Sequence, residues 1–478
     1  MEDFELVIGI EVHAELSTKA KAFCDCKVDF DSKPNTNICP ICLGLPGALP
    51  KLNEQVLDFA LKAGLSLNCE INKISKQDRK HYFYPDLGKG YQVTQDVPNP
   101  IVKNGYIEIT KNDGTKKKIR INRIQMEEDT AKVIYDPFGR GMLLDFNRSS
   151  VPLLEIISEP DISSKEEAVL YLEKLREILK YINVSDCKME EGSFRGDINI
   201  SVNRKGEPFG NRIERKNMSS FKSMDRAIDY EFKRQVAAIK NGKVIKQETL
   251  GWDDVAGKTY SMRSKENKQD YRYFPDGGLP QIIVDQDKID EIKREIPELP
   301  DAKRERYIKE YNLTDKQIEF ILSDRVYIEF FEGVLKKVND PVEIANWMMS
   351  ELARLMNENM LEPKALPITV DDFASFISLI LDNTLNSKTA KIVIEEMFNT
   401  SKKPKEIIEE KGLSQITDKK ALVQIVKDVL DENKQSVEDY KNGKDRAFGF
   451  LIGQIMKKSK GKANPKLVNE ILAEELGK

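Results

Sequence analysis

Leu6-Val7-Ile8-Gly9-Ile10-Glu11-Val12-His13-Ala14-Glu15-Leu16 reads as one long β-strand, and the rest of the chain orders itself around it. Leu6, Ile8, Ile10, Val12, Ala14 and Leu16 take every second position, with Val7, Gly9, Glu11, His13 and Glu15 between them. Successive strand side chains point to opposite faces. One face is therefore apolar, and the other carries Glu11, His13 and Glu15.

Three more runs behave in the same way. Ile198, Ile200 and Val202 alternate with Asp197, Asn199, Ser201 and Asn203. Over 121–130, Met126, Glu128 and Thr130 share one face while Gln125, Glu127 and Asp129 share the other. Pro152-Leu153-Leu154-Glu155-Ile156-Ile157 is the fourth strand candidate. Helices fall between these strands. Ser163-Ser164-Lys165-Glu166-Glu167 offers a capping box ahead of Val169, Leu172, Leu175, Ile178, Leu179 and Ile182. A second helix is expected over 224–240, stopped near Gly242.

At Ile296-Pro297-Glu298-Leu299-Pro300-Asp301 two prolines break any helix. Beyond them the pattern is helix after helix, with amphipathic stretches at 342–355, 371–381, 389–398 and 422–430. Lys402-Lys403-Pro404 divides this half again, and 446–457 and 465–476 form a helical tail. The expectation is an α+β fold. A large mixed-sheet domain covers 1–295, an all-helical domain 296–402, and a small helical tail domain 403–478.

With 478 residues the chain has enough core to fold without disulfides, in roughly two to four domains. No run of eighteen apolar residues exists, so no membrane span is expected. The start, Met1-Glu2-Asp3-Phe4-Glu5, is acidic and lacks the order of a secretory signal. Net charge is −4, which does not mark a nucleic-acid binder. Locally, however, 441–466 holds eight Lys or Arg against one Asp, an excess of +7. Charge alone leaves two readings of that stretch, a patch that tracks phosphates or a solvated helix face.

Cysteines are more specific. Cys24-Asp25-Cys26, twelve residues, then Cys39-Pro40-Ile41-Cys42 gives two close thiol pairs joined by the turn-rich Lys33-Pro34-Asn35-Thr36-Asn37. Four such thiolates suit a structural zinc ion. Six cysteines in so long a chain do not make a disulfide framework, so a reducing, cytoplasmic setting is expected.

Glu11, His13, Glu128, Glu155 and Asp197 each fall in a strand-like run. Carboxylates with one imidazole suit magnesium or manganese, which prefer oxygen ligands and keep waters for a phosphate substrate. Taken singly, each is equally a polar strand face. His81-Tyr82-Phe83-Tyr84-Pro85-Asp86-Leu87-Gly88-Lys89-Gly90-Tyr91-Gln92 is dense in aromatic and turn residues, and Asp270-Tyr271-Arg272-Tyr273-Phe274-Pro275-Asp276 echoes it. Such rings stack a base or fill a core. There is no P-loop, no G-x-G-x-x-G after a strand and no kinase signature set. A Ser-His-Asp hydrolase would need His13 or His81, and neither lies near a nucleophile elbow.

These motifs together resemble one family. They are Ile8-Gly9-Ile10-Glu11-Val12-His13, the cysteine pairs, Gly44-Leu45-Pro46-Gly47, the 81–92 run and Arg123-Ile124-Gln125-Met126-Glu127-Glu128-Asp129. Pro152-Leu153-Leu154-Glu155-Ile156, Lys188-Met189-Glu190-Glu191-Gly192-Ser193 and the tail Gly453-Gln454-Ile455-Met456 with Gly461-Lys462-Ala463-Asn464-Pro465 complete the match. The resemblance is to the B subunits of the tRNA-dependent amidotransferases (GatB of GatCAB) and covers essentially the whole chain.

The resemblance implies an activity. Such a protein uses ATP and magnesium to phosphorylate the side-chain carboxylate of mischarged Glu-tRNA(Gln) or Asp-tRNA(Asn). Ammonia from a glutaminase A subunit then displaces the phosphate, and a small C subunit braces the heterotrimer. Position by position, it implies catalytic residues Glu11, His13, Glu128, Glu155 and Asp197, with the first four holding magnesium. It implies zinc on Cys24, Cys26, Cys39 and Cys42, a cradle-shaped first domain, and tRNA contact through 441–466. Two other readings remain, a tRNA-docking scaffold with an idle metal site and a stand-alone amidoligase that uses free ammonia.

The chain departs from the family pattern at three positions. Gln125 stands where many members have His, Gly196 where many have Cys, and Arg215 in place of an aliphatic residue. Gln125 is expected on the face opposite Glu128, away from the metal.

Overall fold

In the computed structural model the first strand, β1, spans Phe4–Glu15. All residues are described except 1–2, 96–97, 137, 140, 217–219, 254–255, 265–270, 414–418, 442–443, 445, 460–462, 464 and 478. Side chains are likewise not described at 261–264, 419–421 and 465–466. The strands that build the site follow in chain order. They are β2 (Glu70–Ile71), β3 (Gln77–His81), β4 (Tyr91–Gln95), β5 (Val102–Thr110), β6 (Lys116–Glu128) and β7 (Pro152–Ser158). Then come β8 (Phe194–Arg204), β9 (Ile213–Lys216), β10 (Glu248–Asp253), β11 (Lys258–Ser264) and β12 (Phe274–Pro275).

Nine of them form one sheet in the order β11-β10-β9-β8-β1-β7-β6-β5-β2, and β12, β3 and β4 form a separate three-stranded sheet. Within the nine, only β9 and β10 run parallel, so the sheet is mixed. β1 is paired on both sides, with β8 from Phe4↔Arg204 to Ala14↔Phe194 and with β7 from Glu11↔Ile157 to Glu15↔Leu153.

The alternation read in the sequence explains that central place. Ile8, Ile10, Val12 and Ala14 are buried with Leu61 of α1 (Glu54–Ser66), Leu172 and Leu175 of α2 (Lys165–Tyr181), and Met224 and Ala227 of α3 (Phe221–Lys240). Each such burial is worth about 1.5–3 kcal/mol for the larger side chains. Of the expected capping box before α2 one half forms, since Ser164 Oγ accepts from the Glu167 N–H, while the Glu167 carboxylate accepts from the Ser163 N–H instead of the Ser164 N–H. α3 begins three residues before the expected start, where Ser220 caps it.

Arg215 shows how a cation occupies an apolar position. It pairs across from Ile198 and so faces the core. Arg215 and Glu231 of α3 are both fully buried and form an ion pair. Glu231 also accepts from Arg234 at 2.9 and 2.7 Å and from Gln235 at 2.7 Å. The helix thus supplies the counter-charge that an aliphatic residue would not need.

The chain divides into two compact units, Met1–Leu299 and Pro300–Lys478. Pro300 opens the helix Pro300–Tyr311 instead of lying in the break, because the first helical position tolerates a missing N–H. In the second unit the stretch read at 342–355 is Pro341–Trp347, a π-helical turn Met348–Leu352 and Ala353–Glu358 in succession. Pro404–Lys411 buries Ile407 and Ile408. The tail has its own apolar cluster, with Leu422, Val426, Leu451, Ile455 and Ile471 at its centre. No helix among the described residues is long and apolar enough to cross a membrane.

Removing one partner of a buried ion pair strands the other charge. Glu231→Ala is expected to cost the first unit about 3–5 kcal/mol of stability, while Arg215→Met costs less, because Glu231 keeps Arg234 and Gln235 as partners. Chemical denaturation of the two variants beside the parent chain checks this.

Candidate active site

Strand register decides which polar groups meet. β1 and β7 set His13 directly across from Glu155, and β1 and β8 set Glu11 across from Asp197. β7 and β6 set Glu155 across from Gln125 and Leu153 across from Glu127. Directly opposed residues share a face. Glu11, His13, Glu155, Asp197, Gln125 and Glu127 therefore share the face that the core does not use. One donor atom each from Glu11, His13 and Glu155 lies within 4.8 Å of the other two. His13 Nε2 is 3.8 Å from Glu155 Oε1 and 3.9 Å from Glu127 Oε2.

Glu128 does not join them. It is opposed to Pro152, on the other face of β6. There its carboxylate pairs with Lys89 and accepts from the Val93 N–H at 2.8 Å and Ser150 Oγ at 2.6 Å. Glu128, expected beside Glu11, His13 and Glu155, thus lies on the other face of the strand, and its neighbour Glu127 lies on theirs, accepting from Thr94 Oγ1 at 2.5 Å. The expectation for Gln125 changes with it. Gln125 does lie opposite Glu128 in face, but that puts it beside Glu155, where it accepts from Arg123 Nε at 2.8 Å. Asp197 sits next to Glu11 in register, with its carboxylate 2.5 Å from Lys216 Nζ.

The crowding has electrostatic consequences. Burial and the Glu127 and Glu11 carboxylates push Glu155 well above the ordinary carboxylate range. Burial works against charged Glu11 too, but His13 and Lys216 hold it below its usual value. Lys80 of β3, despite burial, is kept charged by Glu127, Tyr273 and Glu155. Two residues beyond His13, burial and then Asp129 push Glu15 up to about 7. Asp129 is buried as well, yet Arg195 and Arg148 hold it low. More negative charge meets here than the local cations match, which suits an added divalent cation. Donors on an octahedral magnesium ion lie about 3–4 Å apart, a small adjustment from the spacing observed.

A cavity of about 740 Å³ opens on this face. Gly9, Glu11, Glu155, Asn199 and Lys216 line it from the sheet, and Lys80, Tyr271 and Tyr273 line it as well. Lys80 Nζ lies 5.1 Å from the Tyr271 ring centre. Phe209, 66% exposed, lines the same cavity.

The four cysteines converge as their spacing predicts. Their sulfurs all lie within 4.8 Å of one another, with Cys39 and Cys42 Sγ 3.9 Å apart. Tetrahedral zinc holds sulfurs about 3.8 Å apart. None of the four is in a disulfide. Hydrogen bonding from the Cys24 thiol pulls Cys42 down to about 4, so one thiolate is ready for a cation. The loop is braced at its C-terminal end. Ser149 Oγ donates to the Cys42 carbonyl at 2.9 Å, and Gly44 at φ +69° packs so tightly on Lys89 that a Cβ would lie 2.3 Å from its Cγ.

Residues 6–290 match a family described as the GatB/GatE catalytic domain, and residues 329–476 match a GatB domain. The chain is 52% identical over 480 residues to the B subunit of the aspartyl/glutamyl-tRNA(Asn/Gln) amidotransferase of Caldicellulosiruptor saccharolyticus, covering 100% of both. It is 51% identical to the protein of the same name from Clostridium tetani, covering 100% of this chain and 99% of the relative. The chain belongs to the GatB family.

Two features of this GatB-family site escaped the sequence. Glu127 was visible within Met126-Glu127-Glu128-Asp129, but only the β6–β7 register tells which of two adjacent acids faces His13. Lys80 lay next to the aromatic run, and its approach to Glu127 and Glu155 depends on the second sheet. In the tail, Lys444 pairs with Asp439 and Lys458 with Glu432, while Lys441, Arg446 and Lys457 have no acidic partner among the described residues. Lys460 and Lys462 lie outside the described residues, as does the side chain of Lys466.

Stripping metal with a strong chelator is expected to release about one zinc per chain and to lower the unfolding temperature of the first unit. Cys42→Ser should abolish the zinc content, as elemental analysis of the folded protein would show.

Proposed function

We propose that this chain is the carboxylate-activating subunit of a tRNA-dependent amidotransferase. Its substrates are Glu-tRNA(Gln) and Asp-tRNA(Asn), ATP, and ammonia delivered from a glutaminase subunit. The observation that carries this reading is the convergence of Glu11, His13 and Glu155, with Glu127 near His13, where Glu11 and Glu155 line a 740 Å³ cavity.

A carboxylate is a poor electrophile. Its oxygen takes the terminal phosphoryl group of ATP, ADP departs, and ammonia then displaces phosphate to leave the amide. Glu11, His13 and Glu155 are the residues to hold magnesium, which when bound offsets charge on the phosphoryl oxygens. Lys80 and Lys216 border the cavity and draw phosphate towards the triad. Tyr271 and Tyr273 shield it from water, and the exposed Phe209 ring offers a stacking surface for a base. Asp197 acts through Lys216, which it orients.

The remaining parts fit this role. Cys24, Cys26, Cys39 and Cys42 hold a structural zinc. The three-domain division at 295/296 and 402/403 separates catalysis, a helical spacer and the tail. Lys441, Arg446 and Lys457, without an acidic partner among the described residues, give the tail a phosphate-facing surface for tRNA. The assembly is a heterotrimer with A and C subunits in the cytoplasm.

Co-expression with A and C partners, followed by assay on Glu-tRNA(Gln) with glutamine and ATP, tests the reading. ATP- and magnesium-dependent amide is expected, and an intact complex that makes none contradicts it. Within that assay Glu155→Gln should lose about a hundredfold or more in rate together with Mn²⁺ affinity. Glu128→Gln should keep its Mn²⁺ affinity, because that carboxylate faces Lys89.

A further inference from the structure

Arg123 stands on the open face of the sheet, and no carboxylate claims its charge. In register it opposes Ile157, which in turn opposes Glu11, so Arg123, Ile157 and Glu11 form one row across β6, β7 and β1. Neighbouring strands lie about 4.8 Å apart, which puts Arg123 about 10 Å from Glu11 along the row. All three line the 740 Å³ cavity. Arg123 Nε donates to Gln125 Oε1 and its Nη1 to Asn122 Oδ1, each at 2.8 Å. Both acceptors are fixed from behind. Gln125 is buried and donates to the Gln95 carbonyl at 3.1 Å, and Asn122 donates to Glu159 at 2.7 Å. Both are amide oxygens, so they aim the guanidinium without neutralising it. Two of its five N–H groups are thus used, and the Nη1–Nη2 end remains open. Arg123 eases the charge on Glu155 but forms no ion pair among the described residues. The other cations at the cavity differ. Lys216 is bound by Asp197 at 2.5 Å and Glu214 at 3.2 Å, and Lys80 lies among Glu127, Tyr273 and Glu155. Arg212 is exposed and makes no hydrogen bond among the described residues that would give it a direction.

We propose that Arg123 grips the phosphate chain of ATP in this cavity and that Gln125 is the positioning residue that aims it. This rests on the function proposed above. The end of a guanidinium presents paired N–H groups that match two phosphate oxygens, a fit a lysine lacks. ATP brings more negative charge than one divalent cation on Glu11, His13 and Glu155 offsets, so a further cation beside the triad is required. A side-chain carboxylate brings a single charge, which the metal alone meets. Lys216 and Lys80 already have acids to satisfy, and Arg123 does not. Ile157 lies between Arg123 and Glu11 and carries no charge, so a phosphate chain laid over it is held at its two ends. Arg123 is then a binding residue, and Gln125 acts only through it.

The test uses the full complex on Glu-tRNA(Gln) with glutamine and magnesium-ATP. Arg123→Gln is expected to raise the KM for ATP about ten- to hundredfold, the size of one charged hydrogen bond, and to leave the KM for Glu-tRNA(Gln) unchanged. The Mn²⁺ affinity of the nucleotide-free complex should not fall, since the variant removes a cation from beside Glu155. Arg123→Lys keeps the charge, loses the fork and should recover part of the loss. Gln125→Met keeps the volume, removes the acceptor and should raise the KM for ATP about threefold to tenfold. Gln125→His, whose neutral ring still accepts from Arg123, should lie nearer the parent. A KM for tRNA that rises while that for ATP stays constant assigns the guanidinium to a tRNA phosphate and overturns the proposal. Mn²⁺ affinity that falls together with ATP affinity also overturns it, as distortion of the triad. Parent-like ATP kinetics in Gln125→Met overturn the positioning role. If Arg123→Gln does not fold, Arg123→Lys and Gln125→Met carry the same readouts. Parent complex that makes no amide defeats the underlying function, and equilibrium dialysis of magnesium-ATP against the same variants then decides the role of Arg123 separately.

Discussion

The pairing that sets His13 across from Glu155 is the constraint on which the site depends. Strand side chains alternate with a period of two, so a slip of one residue would send Glu155 into the core and Leu154 or Ile156 to the cavity. Two things prevent it. The apolar face of β1 is buried with residues of three helices, and β1 is clamped by antiparallel neighbours on both sides. Burial of Ile8, Ile10 and Val12 thus fixes where Glu11 and His13 stand, although neither polar group contributes to the core.

The same alternation divides labour within a single dipeptide. Glu127 faces His13, while Glu128, one residue on, turns to Lys89 and Ser150. Lys89 is in turn pressed against Gly44 of the cysteine loop. The cysteine loop therefore braces the end of β6 from the side opposite Glu11, His13 and Glu155. The sheet transmits this support because a strand cannot move one face without the other. The charge balance follows the same geometry. Acids dominate the open face, and Lys80, Lys216 and His13 match only part of that charge, which leaves a place for a cation.

Much of this was legible in the sequence. The period-two runs at 6–16, 121–130, 152–157 and 197–203 are all strands of one sheet, because half-buried strands advertise themselves by alternation. The C-x-C and C-x-x-C pairs met because such spacing leaves little freedom. What alternation cannot give is register between strands, hence which of Glu127 and Glu128 faces His13. Nor does it show counter-charges supplied from afar, as Glu231 does for Arg215. Shorter helices are harder. Asp315–Leu322 is too brief to show a clear period, although Thr314 and Gln317 form a capping box at its start. The boundary between the two units lies at Leu299/Pro300, since proline starts a helix as readily as it ends one.

The central claim is that one divalent cation sits between β1 and β7. Anomalous diffraction from crystals of the complex soaked in Mn²⁺ tests it most directly. The account predicts a manganese peak about 2.1–2.2 Å from Glu11, His13 and Glu155 donor atoms, on the face away from Lys89. A peak held by Glu128, or none on this face with nucleotide bound, would contradict it.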